Sequence, residues 1–511
     1  MTQEVNGKIC NLGNVCDCVT VKDLDPCIII IFGASGDLTT RKLIPALFRM
    51  WINNSLPDPV AIVGCARTEF SRSEFIAKIK KECMTCATVA ESQWNDFAAL
   101  LHYFQVEYDS LNSYLQLKMF LKDLGAAKGT HGNKLFDLAV PPHLYSIIAD
   151  NIGQAGLAHQ YKENNGWCRL VVEKPFGSDL YTSQELDKSL HRHFTEPQIF
   201  RIDHYLAKET VQNILMLRFA NAIFEPLWNR SYIDYVGILA AEQIGIENRS
   251  GYYENSGVIR DMFQNHMLQL LSLIAMEPPS HFEAERVRDE KLKLFRSIRP
   301  FTEKQGDVVL GQYGPGIIGS EAIPGYLGEK GVAPDSLTPT FALLRFAIEN
   351  WRWQGVPFYL VSGKRMKRKE TRIVIQFKEV PHSLFRDVLK ESVSANRLVL
   401  SIYPEEGITL SFQTKSPGAS VCLRTMDMDF SYQESYKGVS LEAYEKVLLD
   451  CILGDHMLFW RQDGVEEAWS LLTPLLHSCE RCENRAQKLH TYDAGSWGPD
   501  AAAGIIEKII S

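Results

Sequence analysis

The sequence predicts a doubly wound α/β domain followed by a larger α+β domain, on the strength of three observations. Cys27 to Phe32 reads C-I-I-I-I-F, a continuous apolar run rich in β-branched residues, as in a strand buried on both faces of a parallel sheet. Glycine and serine follow at once. A helical pattern then runs from Leu38 to Trp51, with Leu43, Ile44, Leu47 and Phe48 as its apolar residues, and Val60 to Val63 completes a strand–helix–strand unit. After about residue 205 the pattern changes to alternating stretches, Tyr235 to Gln243, Thr371 to Phe377 and Arg397 to Tyr403, which suit a mostly antiparallel sheet.

The remaining elements follow from the same periodicities. Leu135 to Val140 and Arg169 to Val172 read as further parallel strands with helices between them, and Thr210 to Ala220 as an amphipathic helix. The division expected is a tail over 1–26, an α/β domain over 27–203 and an α+β domain over 204–511. A chain of 511 residues with 45% hydrophobic composition has ample material for two cores. A net charge of -8 argues against nucleic acid, which needs a basic face to displace counterions. No apolar stretch approaches the roughly 20 residues that span a bilayer. Residues 1–25 lack the apolar core of a secretory signal, so a cytoplasmic location is expected. Of the 12 cysteines, Cys83/Cys86 and Cys479/Cys482 form C-x-x-C pairs, and Cys10, Cys16 and Cys18 lie near the N-terminus. No local His or Cys completes a tetrahedral site, so no metal is expected.

Gly33-Ala34-Ser35-Gly36-Asp37 lies between the first strand and the first helix. Glycines there let the backbone turn sharply and approach a pyrophosphate, whose charge the helix N-terminus favours. The spacing is G-x-x-G rather than the full G-x-G-x-x-G, and its strand–turn–helix context makes the reading Rossmann-type dinucleotide binding. Beyond the second strand come Arg67 and Thr68, then Glu69. An Arg at this place pairs with a 2′-phosphate through parallel charge-assisted bonds, so NADP is expected over NAD.

Two histidines have informative surroundings. In R-I-D-H-Y-L-A-K-E (201–209), a helix beginning near His204 would put His204 and Lys208 on one face, with Tyr205 beside them, as a phosphate clamp, but the string taken alone reads as a solvated Lys208 and a buried, hydrogen-bonded His204. His266 stands in a strongly apolar helix, where a buried imidazole is hydrogen-bonded or functional. Asp261 is its nearest acid, but five residues along an α-helix is roughly 140° of rotation. A carboxylate from elsewhere is the better partner, with Asp203 a candidate, and Asp261 and Glu242 are free to bind hydroxyls. Lys174 precedes a proline in E-K-P-F-G (173–177), where a cis bond is cheap and would aim the lysine at the cofactor. Lys364 to Lys369 (K-R-M-K-R-K), taken alone, reads as a solvated basic loop.

Seven segments in order carry a family resemblance: G-A-S-G-D-L-T-T-R-K-L-I-P-A-L, E-K-P-F-G, R-I-D-H-Y-L-A-K-E, I-R-D-M-F-Q-N-H, G-K-R-M-K-R-K, E-A-Y-E-K-V-L-L-D and A-G-S-W-G-P. The chain resembles the glucose-6-phosphate dehydrogenases over nearly its whole length. The resemblance implies oxidation of glucose 6-phosphate at C1 to 6-phosphogluconolactone with NADP, at the entry of the oxidative pentose phosphate pathway. It implies an acid–base dyad of His266 and Asp203, with His204, Tyr205, Lys208 and Lys364 on the phosphate. Lys174, Glu242, Asp261 and Lys369 would hold the sugar, and Gly33, Ser35, Gly36, Asp37, Arg67 and Lys174 the cofactor. Family members are homodimers or homotetramers. Three positions depart from the family pattern: Ala207 where D-H-Y-L-G-K has glycine, Asp137 where an aromatic residue is usual, and Tyr403 in place of a glutamine. Two alternatives are a related sugar or polyol dehydrogenase and a non-catalytic NADP-binding sensor.

Overall fold

A computed structural model describes residues 24–83, 91–159, 166–247, 249–301, 307–385, 393–418, 422–435, 441–481 and 484–511. The chain forms two compact units: Met1–Gly177, Tyr181–Ala207 and Gly438–Gln462 make the first, and Ser178–Leu180, Lys208–Lys437 and Asp463–Ser511 the second. The first boundary falls four residues beyond the expected 203. The larger difference is that the stretch ending at Gln462, assigned from sequence to the second domain, returns to the first.

Among the described residues six strands build the first unit: β1 (Cys27–Phe32), β2 (Val60–Ala66), β3 (Leu101–Gln105), β4 (Lys134–Leu138), β5 (Cys168–Val172) and β6 (Ile199–Arg201). All pair in parallel, in the order β3-β2-β1-β4-β5-β6. This is the doubly wound dinucleotide-binding order, in which ligands sit beyond the strand C-termini where the order reverses, between β1 and β4. Residues 37–52 are helical as expected, but Thr39–Leu43 is a π turn ahead of the α-helix Ile44–Ile52. Pro45, which the apolar pattern hides, has no N–H to donate and crowds the preceding turn, so the helix widens there.

The returning helix Ala443–Leu453 contributes Val447, Leu448, Cys451 and Ile452 to the same core as Ile29, Ile31, Leu47 and Phe200. Ala207 is buried in that core, so its extra methyl group meets apolar neighbours. The E-A-Y-E-K segment is held by named contacts. Arg49 bonds Glu442 at 2.7 Å and also pairs with Glu445, while Tyr444 donates to Glu173 at 3.1 Å. Arg169 bonds the Cys451 carbonyl at 2.8 Å at the helix C-terminus, where a cation suits the exposed carbonyls.

The second unit contains β7 (Ile233–Ala241), β8 (Val308–Gly314), the hairpin β9 (Gly316–Ile318) and β10 (Glu321–Ile323), β11 (Phe341–Ala347), β12 (Pro357–Gly363), β13 (Glu370–Phe377), β14 (Arg397–Tyr403), β15 (Gly407–Lys415), β16 (Leu423–Ser431) and β17 (Leu489–Asp493). Nine of these form one sheet, β16-β15-β14-β13-β7-β12-β11-β8-β17. Only β7–β12 and β8–β17 pair in parallel, so the sheet is mostly antiparallel as the alternating stretches predict. The helix expected at Thr210–Ala220 spans Glu209–Phe219. Among the described residues, no helix is long and apolar enough to cross a membrane.

Candidate active site

The first unit holds the glycine turn at the C-terminal end of β1. Gly33 has φ +85°, and a Cβ there would lie 2.1 Å from the Ala139 carbonyl oxygen, so only glycine fits. The turn is fixed from several sides. Gly33 N–H donates to the Cys65 carbonyl at 2.9 Å, and Gly36 N–H to the Gly33 carbonyl at 2.9 Å. The buried Thr39 and Thr40 hydroxyls reach back to the Gly33 and Gly36 carbonyls at 3.0 and 3.2 Å, and Lys78 holds the Ser35 carbonyl at 3.2 Å. The first N–H groups of the following helix are left for an anion. Asp37 is exposed in that first turn, 3.9 Å from Arg41, so what it offers a pyrophosphate is its backbone N–H.

Arg67 is exposed immediately after β2, its guanidinium 5.6 Å from the Tyr108 ring centroid. Gln105 bonds the Arg67 carbonyl at 3.0 Å, which fixes its backbone. Arg72 is committed otherwise, bonding the carbonyls of Leu101 and Ala99 at 2.7 and 3.0 Å. Arg67 is thus the cation at this strand end with no carboxylate partner among the described residues. Lys174–Pro175 is a cis bond. At the ends of β5 and β6, Asp203 accepts the Tyr205 N–H at 3.1 Å, and the rings of His204 and Tyr205 meet edge to face at 5.4 Å.

Residues 204–208 are turn rather than helix, because the helix starts at Glu209 with Lys208 as its extended cap. The four-residue spacing therefore does not put His204 and Lys208 on one helical face. A second expectation also changes. His266 and Asp261 lie in a π-helical segment, Ile259–Met267, entered through Gly257 (φ 56°). In i→i+5 bonding, residues five apart stand one turn above each other, so the α-helical angle that set Asp261 aside does not apply.

In the second unit Lys364 is buried, 4% exposed. Its ammonium lies 2.6 Å from Glu242, 3.8 Å from Asp261 and 5.1 Å from the Tyr253 ring centroid. The K-R-M-K-R-K run is anchored at its start and solvated at its end: Lys364 and Met366 are buried, whereas Lys367, Arg368 and Lys369 are exposed. Lys364 N–H donates to the Thr340 carbonyl at 3.0 Å, Met366 N–H to Glu242 at 2.9 Å and Lys367 N–H to Ser496 at 2.8 Å. Arg365 pairs with Glu329 at 3.2 Å and Arg368 with Glu370 at 2.7 Å. The ammonium of Lys369 stands 4.1 Å over the Tyr403 ring, and that of Lys208 stands 5.9 Å from the same centroid.

Sequence reasoning assigned no role to two buried carboxyls and a half-buried tyrosine of the first unit. Asp137 in β4 is fully buried, and neither carboxylate oxygen has a hydrogen-bond partner. Burial, reinforced by Glu173, pushes its carboxyl well above the usual range. Glu173, beside Lys174, is raised to about 7, chiefly by burial. Tyr444 holds Glu173. The E of E-K-P and the Y of E-A-Y-E-K were visible in the motifs, but not their meeting. Cys86, Cys482 and the N-terminal cysteines lie outside the described residues. Among those described, no three His, Cys, Asp or Glu cluster as a metal site.

A Rossmann-type unit carrying this glycine turn, with a second unit bearing a carboxylate–lysine cluster, defines a dinucleotide-dependent oxidoreductase. Comparison with known proteins narrows the class. Residues 30–213 match the model of the glucose-6-phosphate dehydrogenase NAD binding domain, and residues 215–509 that of the glucose-6-phosphate dehydrogenase C-terminal domain. The glucose-6-phosphate 1-dehydrogenase of Aggregatibacter actinomycetemcomitans is 45% identical over 484 residues, 94% of this chain and 96% of that protein. That of Treponema pallidum is 43% identical over 489 residues, 94% of each. A solved glucose-6-phosphate dehydrogenase in complex with glucose-6-phosphate has a TM-score of 0.87 at 36% identity, covering 95% of this chain and 98% of that one. The Mycobacterium avium enzyme has a TM-score of 0.80 at 31% identity, covering 94% and 97%. The chain belongs to the glucose-6-phosphate dehydrogenase family, and its first unit is a nicotinamide-dinucleotide-binding domain. Such coverage favours neither alternative reading.

Proposed function

We propose that this enzyme oxidises D-glucose 6-phosphate at C1 to 6-phospho-D-glucono-1,5-lactone with NADP, as a cytoplasmic homodimer or homotetramer. The observation that carries the substrate assignment is the contrast between two sets of lysines in the second unit. Lys364 is neutralised by Glu242 and Asp261, a set that donates to and accepts from sugar hydroxyls but has no net positive charge for a phosphate. Lys208 and Lys369 both stand near the Tyr403 ring, two cations of the kind that pairs with a phosphate dianion. The ion pairing supports Lys369 rather than Lys364 on the phosphate with Lys208, and Lys364 on the sugar; His204 and Tyr205 stay on the phosphate by the family resemblance alone.

The dinucleotide, when bound, accepts the hydride. Gly33, Ser35, Gly36 and Asp37 would hold its pyrophosphate through backbone N–H groups, in a cradle that a Cβ at position 33 would fill. Arg67, with no carboxylate partner among the described residues, is suited to a 2′-phosphate, which favours NADP. On the family resemblance, His266 takes the C1 hydroxyl proton as general base, Asp203 orients its ring, and Lys174 hydrogen-bonds the C1 oxygen. In the second unit β15 and β16 end the sheet, and Met426 and Met428 on β16 are 46% and 61% exposed, apolar surface that a second copy would cover.

His266→Asn tests the base. The variant should lose roughly two to four orders of magnitude in kcat with little change in KM. A large rise in KM at unchanged kcat would make His266 a binding residue instead.

A further inference from the structure

β8 is an inner strand of the large sheet, with β11 on one side and β17 on the other. Val309 packs into the core on one face of that sheet, so Val308 and Leu310 point to the opposite face. Both are only half-buried, so no other element covers them fully. Over them opens a cavity of about 1040 Å³, whose described lining residues all belong to the second unit. That volume is at the upper end of small-molecule sites, about 300–1,000 Å³. Further walls come from Leu475 and Leu476 of the helix Gln462–Arg481 and from Leu337. None of Glu242, Asp261, His266 and Lys364 lines it, so the cavity is distinct from the carboxylate–lysine cluster.

The charges around the cavity select the ligand. Both carboxylates among its described lining residues already have partners: Glu254 accepts the Tyr326 hydroxyl and, at 2.8 Å, that of Ser336, while Glu480 bonds Arg260 at 2.7 Å. Lys488 also lines the cavity and has a partner of its own. Arg485 differs. It is half-buried, donates to the Leu337 carbonyl at 3.1 Å, and has no carboxylate partner among the described residues. A guanidinium carries five N–H donors in one plane, so a single carbonyl leaves donors for the two oxygens of a carboxylate. We infer that the cavity is a second ligand site that takes an aliphatic monocarboxylate, with its chain over Val308 and Leu310 and its carboxylate on Arg485. Walls of valine, leucine, isoleucine and proline suit a hydrocarbon chain, which covers the apolar strand face that the protein leaves open. The site shares no residue with the substrate cluster, so it does not depend on which sugar the enzyme oxidises.

Calorimetric titration of the full chain with decanoate tests the site by binding rather than turnover. Decanoate should bind saturably, one molecule per chain, and each CH2 added between octanoate and decanoate should tighten Kd about fourfold as methylenes leave water. Decanol, with the same chain length and no charge, should bind about tenfold more weakly or worse. Arg485→Gln keeps a donor for the Leu337 carbonyl but loses the charge, and should weaken decanoate by a similar factor while leaving decanol unchanged. Saturating glucose 6-phosphate should leave the Kd of decanoate within about twofold, because the two sites share no residue. No saturable binding, several molecules per chain, or displacement by glucose 6-phosphate would each overturn the inference. So would an Arg485→Gln variant that binds decanoate as tightly as wild type. If that variant fails to fold, the wild-type comparison decides alone: decanol bound as tightly as decanoate overturns the role of Arg485.

Discussion

Glu173→Gln should stabilise the protein at alkaline pH and leave it nearly unchanged in acid. Glu173 is 8% exposed, and burial raises its carboxyl from 4.5 to about 7, with the nearby Asp203 adding to the rise while Tyr444 and Lys174 oppose it. In the unfolded chain the same carboxyl ionises at its ordinary value. Between pH 4.5 and 7 the unfolded state therefore releases a proton that the folded state keeps, so stability is full below 4.5 and falls as pH rises through 7. A rise from 4.5 to about 7, at 1.36 kcal/mol per pH unit, amounts to about 3 kcal/mol, an upper bound for the gain at pH 8. Glutamine keeps the shape and can still accept the Tyr444 hydroxyl, now 3.1 Å from Glu173, but it does not titrate. Thermal denaturation of both proteins from pH 4.5 to 8.5 reads the difference. The variant should melt several degrees above wild type at pH 8 and within about a degree of it at pH 4.5, at about 2–4 °C per kcal/mol for a unit of this size. Asp137 is shifted the same way, so some loss of stability with rising pH should survive in the variant. A variant no more stable than wild type at pH 8 would refute the reasoning.

Two further substitutions probe the cofactor side. Gly33→Ala sets a methyl group 2.1 Å from the Ala139 carbonyl oxygen at φ +85°, so NADP binding should weaken at least tenfold by fluorescence titration; wild-type affinity would contradict the close approach. Arg67→Ala should weaken NADP far more than NAD in the same titration, because only NADP has the 2′-phosphate that pairs with the guanidinium. Equal losses for the two cofactors would remove Arg67 from that role.

Features confined to one stretch of chain were legible in the sequence. The run C-I-I-I-I-F has the bounds of β1, and the G-x-x-G turn sits where the strand order reverses. Arg397 to Tyr403 is β14 to the residue. The harder features join distant residues or bend a local rule. Tyr444 meets Glu173 across 271 residues, and nothing in E-A-Y-E-K says that its helix packs in the first unit's core. Lys364 finds Glu242 across 122 residues, so the first lysine of a basic run that looks solvated is buried and paired. The π turns at Thr39–Leu43 and Ile259–Met267 leave the apolar pattern helical while changing which residues share a face. That is why a rotation angle computed for an α-helix gives no ground for setting Asp261 aside as a neighbour of His266. Asp137 reads as an interruption of an apolar strand, and only its burial without a partner shows it as a raised acid beside Glu173.

The most direct measurement is the initial rate of NADPH formation by purified enzyme, with glucose 6-phosphate and glucose compared at equal concentration. Turnover that is saturable with glucose 6-phosphate, and at least a hundredfold lower in kcat/KM with glucose, is the predicted result. Tight dinucleotide binding without turnover of glucose 6-phosphate, or equal rates with the two sugars, would contradict it.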